Sequence, residues 1–246
     1  MKKILFAIAL AVVATACHTS EEGEVKVGKI AINATTRSEV SETTDNKFVL
    51  SESLVPSAEE LKVEIVGNNE THTWATLAEF NQAVAGGLTF ASAPYTITLS
   101  HGEKGVEGWS KPYFEGSASV EVPMYGLTAE ATVAVEMKNS IIAIETTEQF
   151  DGYFPTSSFK VNGFEWDATK EEMLFLNAGQ EVTITCEATR QTGANTTLES
   201  VVTLKPTTRH KVIFDLSTAG NAVVNILFDD TILETIELEF ELNENA

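Results

Sequence analysis

The sequence predicts an all-β chain built as two tandem antiparallel β-sandwiches, with one short helix in the first. Three observations carry this. Apolar residues alternate with polar ones in many short runs, as where Tyr95, Ile97 and Leu99 interleave with Thr96, Thr98 and Ser100, the period of a strand with one buried face. Turn residues punctuate the runs at short intervals: Gly67-Asn68-Asn69, Gly86-Gly87, Pro123-Met124-Tyr125-Gly126 and Asn162-Gly163. Only residues 76–84 carry helical spacing, with Leu77, Phe80 and Val84 on one face, Thr76 as N-cap and Gly86 as terminator. Many short strands and one helix suit a sandwich.

Taken in order, residues 1–16 read as a secretory signal. Lys2 and Lys3 precede an apolar run from Ile4 to Val13, too short to span a bilayer, and small residues lead into Cys17. Ala14-Thr15-Ala16-Cys17 resembles a bacterial lipobox, which implies that Cys17 becomes a lipidated N-terminus and that the membrane is reached through acyl chains. Residues 17–27 then form an acidic tether. Its Glu21, Glu22 and Glu24 resemble the export tag of surface lipoproteins in Bacteroidota, and they equally suit a solvated linker.

The first sandwich is expected over residues 28–138. Its strand-like runs lie at 28–34, 47–50, 61–66, 89–90, 95–100, 117–122 and 131–137, and 35–46 should be loop. At Lys138-Asn139 the alternation of Val133, Val135 and Met137 breaks and restarts at Ile142 and Ile144, which sets the second sandwich at 139–246. There Asn162-Gly163 is a strong hairpin signal. In the final run Ile236, Leu238, Phe240 and Leu242 alternate with Glu237, Glu239 and Glu241. That run either pairs with 223–228 through Asp229-Asp230-Thr231 or is donated to a neighbouring subunit. Each half, of roughly 100 residues, is long enough for its own core.

Composition narrows the function. With 16 Lys+Arg against 36 Asp+Glu the formal charge is −20, which disfavours nucleic acid, whose phosphates need clustered cations. Cys186 lies in an alternating run with Val182, Ile184 and Ala188 and reads as a buried apolar residue rather than a reactive thiol. The four histidines, His18, His72, His101 and His210, are too scattered to predict a zinc site, and no calcium loop, phosphate loop or nucleophile motif occurs. Neither a cofactor nor an enzymatic reaction is expected.

The segment most able to meet a ligand is the loop after residue 100, glycine-rich and closing on Trp109, Tyr113 and Phe114. Such rings either stack on sugars or plug the end of their own domain, the arrangement favoured here. Trp109-Ser110-Lys111-Pro112-Tyr113-Phe114-Glu115-Gly116, between the strand at 95–100 and the run Thr128-Ala129-Glu130-Ala131-Thr132-Val133, resembles a family of Bacteroidota surface lipoproteins of unknown function. Trp and Ser stand where that family has Phe and Asp. The family is similar in plan to fimbrillins, which implies two tandem transthyretin-like sandwiches, an outer-membrane, cell-surface location and an adhesive or assembly role. It also implies that Arg37 is a processing site that frees an acceptor groove for a neighbouring subunit. The alternative is a carbohydrate-binding lipoprotein of a glycan-uptake system. Asp230-Thr231-Ile232 resembles an O-glycosylation acceptor, with Thr231 as the modified residue.

Overall fold

The computed structural model describes residues 26–42, 47–167, 169, 172–216, 222–228 and 231–238. The leader, Cys17, the acidic tether residues Glu21, Glu22 and Glu24, and Asp229-Asp230 lie outside them. Among the described residues there are nineteen strands: β1 (Val27–Thr36), β2 (Glu39–Glu42), β3 (Lys47–Val49), β4 (Lys62–Gly67), β5 (Glu70–Trp74), β6 (Phe90–Ala91), β7 (Pro94–His101), β8 (Gly108–Trp109), β9 (Phe114–Glu121), β10 (Thr128–Met137), β11 (Ser140–Thr146), β12 (Thr156–Val161), β13 (Phe164–Trp166), β14 (Leu174–Leu176), β15 (Glu181–Thr189), β16 (Asn195–Thr203), β17 (Thr208–Leu216), β18 (Ala222–Phe228) and β19 (Thr231–Leu238). The fold is all-β, as the alternation predicts.

The helix α1 (Leu77–Ala85) falls where its spacing places it, with the Thr76 hydroxyl accepting from Glu79 N–H and Phe80 fully buried. A second helix, α2 (Glu148–Tyr153), was not legible. It is under two turns long, is capped by Thr147, and shows its apolar face only through the buried Phe150. Part of the expected loop at 35–46 is strand as well, since β2 and β3 form a hairpin.

The strands form three sheets, ordered β5-β4-β7-β9-β10-β1-β6, β19-β18-β17-β11-β14-β8 with β2 and β3 branching from β17, and β13-β12-β15-β16. The middle sheet serves two cores. Ile141 and Phe175 join the first, with Ile30, Val63, Ile97, Phe114 and Val133, whereas Ile142, Leu174 and Leu176 join the second, with Val182, Ile184 and Phe214. Residues Ser140 to Ile144 are consequently buried without a break. A strand covered on both faces needs such a continuous apolar run, and Ile141-Ile142-Ala143-Ile144 supplies it. Pairing is mostly antiparallel, but β1 runs parallel to β10, and both β11 and β2 run parallel to β17. Parallel partners leave no turn signature between them, so the sequence offers no sign of them.

The hairpin at Asn162-Gly163 is present, with φ values of 48° and 86°. Both are positive, the requirement of a two-residue turn matching strand twist, which Asn and Gly meet at least cost. β18 and β19 also pair as a hairpin, Phe228 opposite Thr231 and Leu227 opposite Ile232.

Cys186 is fully buried in the second core, and burial pushes its thiol up to about 12. Alkylation at pH 8 should leave it untouched in the folded chain and modify it in urea, read by peptide mass. Labelling of the folded chain would show that the strand opens.

Candidate functional site

The loop between β7 and β9 does not hold its three rings on one platform. Gly108 and Trp109 cross to the middle sheet as β8, pairing with Phe175 and Leu174. Trp109 packs against the second core, its ring 5.4 Å from that of Trp166. Phe114 is fully buried in the first core. Tyr113, 7% exposed, directs its hydroxyl to Glu115, which also accepts from Lys104 Nζ at 3.3 Å. Burial first, and then this acidic partner, raise the Tyr113 pKa. The Tyr113 hydroxyl, followed by Lys104, holds the Glu115 carboxyl below its ordinary range.

The same loop is bonded to residues far along the chain. Glu107 Oε1 accepts from Asn177 N–H at 2.8 Å and from the Gln180 amide, while Ser110 N–H donates to Met173 C=O at 2.9 Å. Asn139, 3% exposed, accepts the Tyr113 N–H on its side-chain oxygen. Its carbonyl accepts Thr207 N–H at 3.0 Å. Asn139 was not legible as a site residue, because its partners, Tyr113 and Thr207, lie far along the chain. An open cleft of about 320 Å³ beside the loop is lined by Leu54, His101, Glu103, Val106, Ser110 and Lys111, with no Trp, Tyr or Phe among them.

Arg37 leaves the end of β1. Its side chain is 66% exposed and lies 3.8 Å from Glu136. Its N–H donates to Val135 C=O at 2.8 Å, continuing the β1–β10 pairing by one residue. Beside it a cleft of about 740 Å³ is lined by Ser38, Glu39, Lys47, Glu136 and Thr207. On its other side β1 pairs with β6 through Val27 and Gly28 alone. The following β2–β3 hairpin is fixed separately: Glu42 pairs with Arg209, whose guanidinium sits 4.6 Å from the Phe48 ring centre. Thr231 opens β19 opposite Phe228. Among the described residues no group of three His, Cys, Asp or Glu side chains could hold a metal ion, and no helix is long and apolar enough to cross a membrane.

Several solved structures are similar over most of the chain. A candidate cell adhesion protein from Bacteroides eggerthii DSM 20697 aligns with a TM-score of 0.44 at 10% identity, covering 88% of this chain and 94% of its own. A candidate polysaccharide-binding protein (DUF1812) from Bacteroides thetaiotaomicron VPI-5482 gives 0.42 at 7% identity, covering 87% and 99%. A fimbrial protein from Bacteroides ovatus ATCC 8483 gives 0.35 at 9%, covering 76% and 48%. No curated protein matches the sequence. The family described as a domain of unknown function, DUF4493, matches residues 21–244, and the chain belongs to that family.

Proposed function

We infer that this is a non-catalytic structural or adhesive module, held at the outer cell surface by acyl chains on Cys17 and built from two domains that join near Lys138-Asn139. The observation that carries the reading is the setting of β1. Residues Lys29 to Thr36 pair with β10 on one side, and β6 holds the other side by only two residues. Arg37 stands exposed at the exit, and β2 and β3 are anchored independently on β17. Cutting after Arg37 would free β1 as a unit and leave the edge of β10 open to an incoming strand. The C-terminal run beginning with β19 is the donor in this reading.

The experiment is limited trypsin-like cleavage at Arg37 of the processed chain, followed by sedimentation. Assembly is expected after the cut. Deleting residues 232–246 should leave a folded monomer that no longer assembles. A cleaved chain that stays monomeric, or a deletion that unfolds the second domain, would sink the fimbrial reading.

Anchoring has its own test. Cys17→Ser should release the protein from the membrane fraction or leave its leader uncleaved, and normal fractionation and maturation would remove the lipid from the proposal. Intact mass of the native protein reads the acyl groups and, in the same spectrum, any hexose on Thr231.

A further inference from the structure

The far edge of the third sheet is longer than the sheet ends at β5, β6, β8 and β13. β16 ends its sheet and runs nine residues, all in register with β15 and without a bulge. Proteins commonly protect such an edge with lysine, proline, a bulge or a short strand. β16, Asn195-Thr196-Thr197-Leu198-Glu199-Ser200-Val201-Val202-Thr203, has none of these and carries Glu199 as its one charge. By contrast, β5 has five residues including Glu70 and His72, and β13 has three.

The hydrogen bonds flanking the β15–β16 ladder fix which backbone groups face outward. Arg190 N–H donates to Ala194 C=O at 2.8 Å, and Leu204 N–H to Gln180 C=O at 2.9 Å. These pairs belong to the same register as Ile184 with Ser200. The even-numbered residues of β16 therefore bond to β15, and Thr197, Glu199, Val201 and Thr203 direct their N–H and C=O groups to the open edge.

Ser200 is a second, independent observation. It is 1% exposed, on the inward face with Leu198 and Val202, and its hydroxyl has no hydrogen-bond partner among the described residues. A buried hydroxyl without a partner is costly, and such groups normally find one.

We propose that β16 pairs antiparallel with β16 of a second copy of this chain, about a two-fold axis at Ser200. This register places the two Ser200 side chains opposite each other in a non-hydrogen-bonded pair, the closer of the two antiparallel spacings, where one hydroxyl donates to the other. On the inner face Leu198 meets the partner's Val202. On the outer face Thr197 meets the partner's Thr203, and Glu199 meets the partner's Val201. Moving the axis to Glu199 would set two carboxylates face to face. Moving it to Val201 would leave each Ser200 hydroxyl against valine. Charge and the orphan hydroxyl select the same register, and the result is a continuous eight-stranded sheet across the dimer.

One strand per copy makes a small seam, so sedimentation of the processed chain should extend to about 1 mM to populate the dimer. Val201→Glu puts two like-charge pairs across the seam and should raise the dimer dissociation constant about two- to thirtyfold, while Val201→Lys creates two opposite-charge pairs and should lower it by a similar factor. The same pair of substitutions at Thr183, one strand further in, should move it little. Ser200→Ala should weaken the dimer while leaving the fold intact by circular dichroism. A chain monomeric throughout the range, Val201 variants that shift together, or a dimer indifferent to Ser200→Ala would overturn the proposal.

Discussion

Phe114→Ala should cost about 3–5 kcal/mol of stability, the range for emptying a large aromatic from a closed core. Phe114 is fully buried where β9 begins, and its neighbours in the first core come from several strands that cannot collapse together into the space. Tyr113→Phe is the matched comparison. It keeps the ring and removes the hydroxyl that donates to the Glu115 carboxylate, at a cost of about 1.5–3 kcal/mol. Urea unfolding of the two variants checks the order. A Phe114→Ala protein as stable as wild type would mean that this ring does not close the first core. The ligand reading of Trp109, Tyr113 and Phe114 would then regain its footing.

Gly116→Ala is expected to be comparably severe for the opposite reason. A Cβ at this position would lie 2.2 Å from the Ala134 carbonyl oxygen and 2.8 Å from its carbon, both backbone atoms of β10. No rotamer change relieves a clash with main chain, so β9 and β10 would have to separate; overpacking of this kind costs about 1–3 kcal/mol or more. Gly152→Ala provides the contrast. Its Cβ would meet nothing within 4 Å, and the residue lies in α2, where alanine is favoured by roughly 0.5–1 kcal/mol. Thermal unfolding should show a large loss for the first and no loss for the second. Equal melting points would mean that β9 has room to move away from β10.

The strands, the first helix and the turns whose signals are local can be read from the chain alone. Tyr95, Ile97 and Leu99 are buried as their alternation requires, Thr76 caps α1, and Asn162-Gly163 turns β12 into β13. The sequence also placed Cys186 in a core. Each of these depends on interactions within a few residues, where side-chain period and backbone preference suffice. Which strands meet is set in the folded arrangement. That β1 lies parallel to β10, that a two-residue strand carries Trp109 to β14 while Phe114 stays in the first core, and that Ile141 and Ile142 face different cores all depend on partners far apart in the chain. The alternating pattern says that a face is buried, but not against what. Polar residues such as Glu107 and Asn139 gain their roles only when residues near 177 and 207 arrive to bond with them. The open edge of β16 has the same origin, because a strand becomes an edge only through the absence of a neighbour on one side.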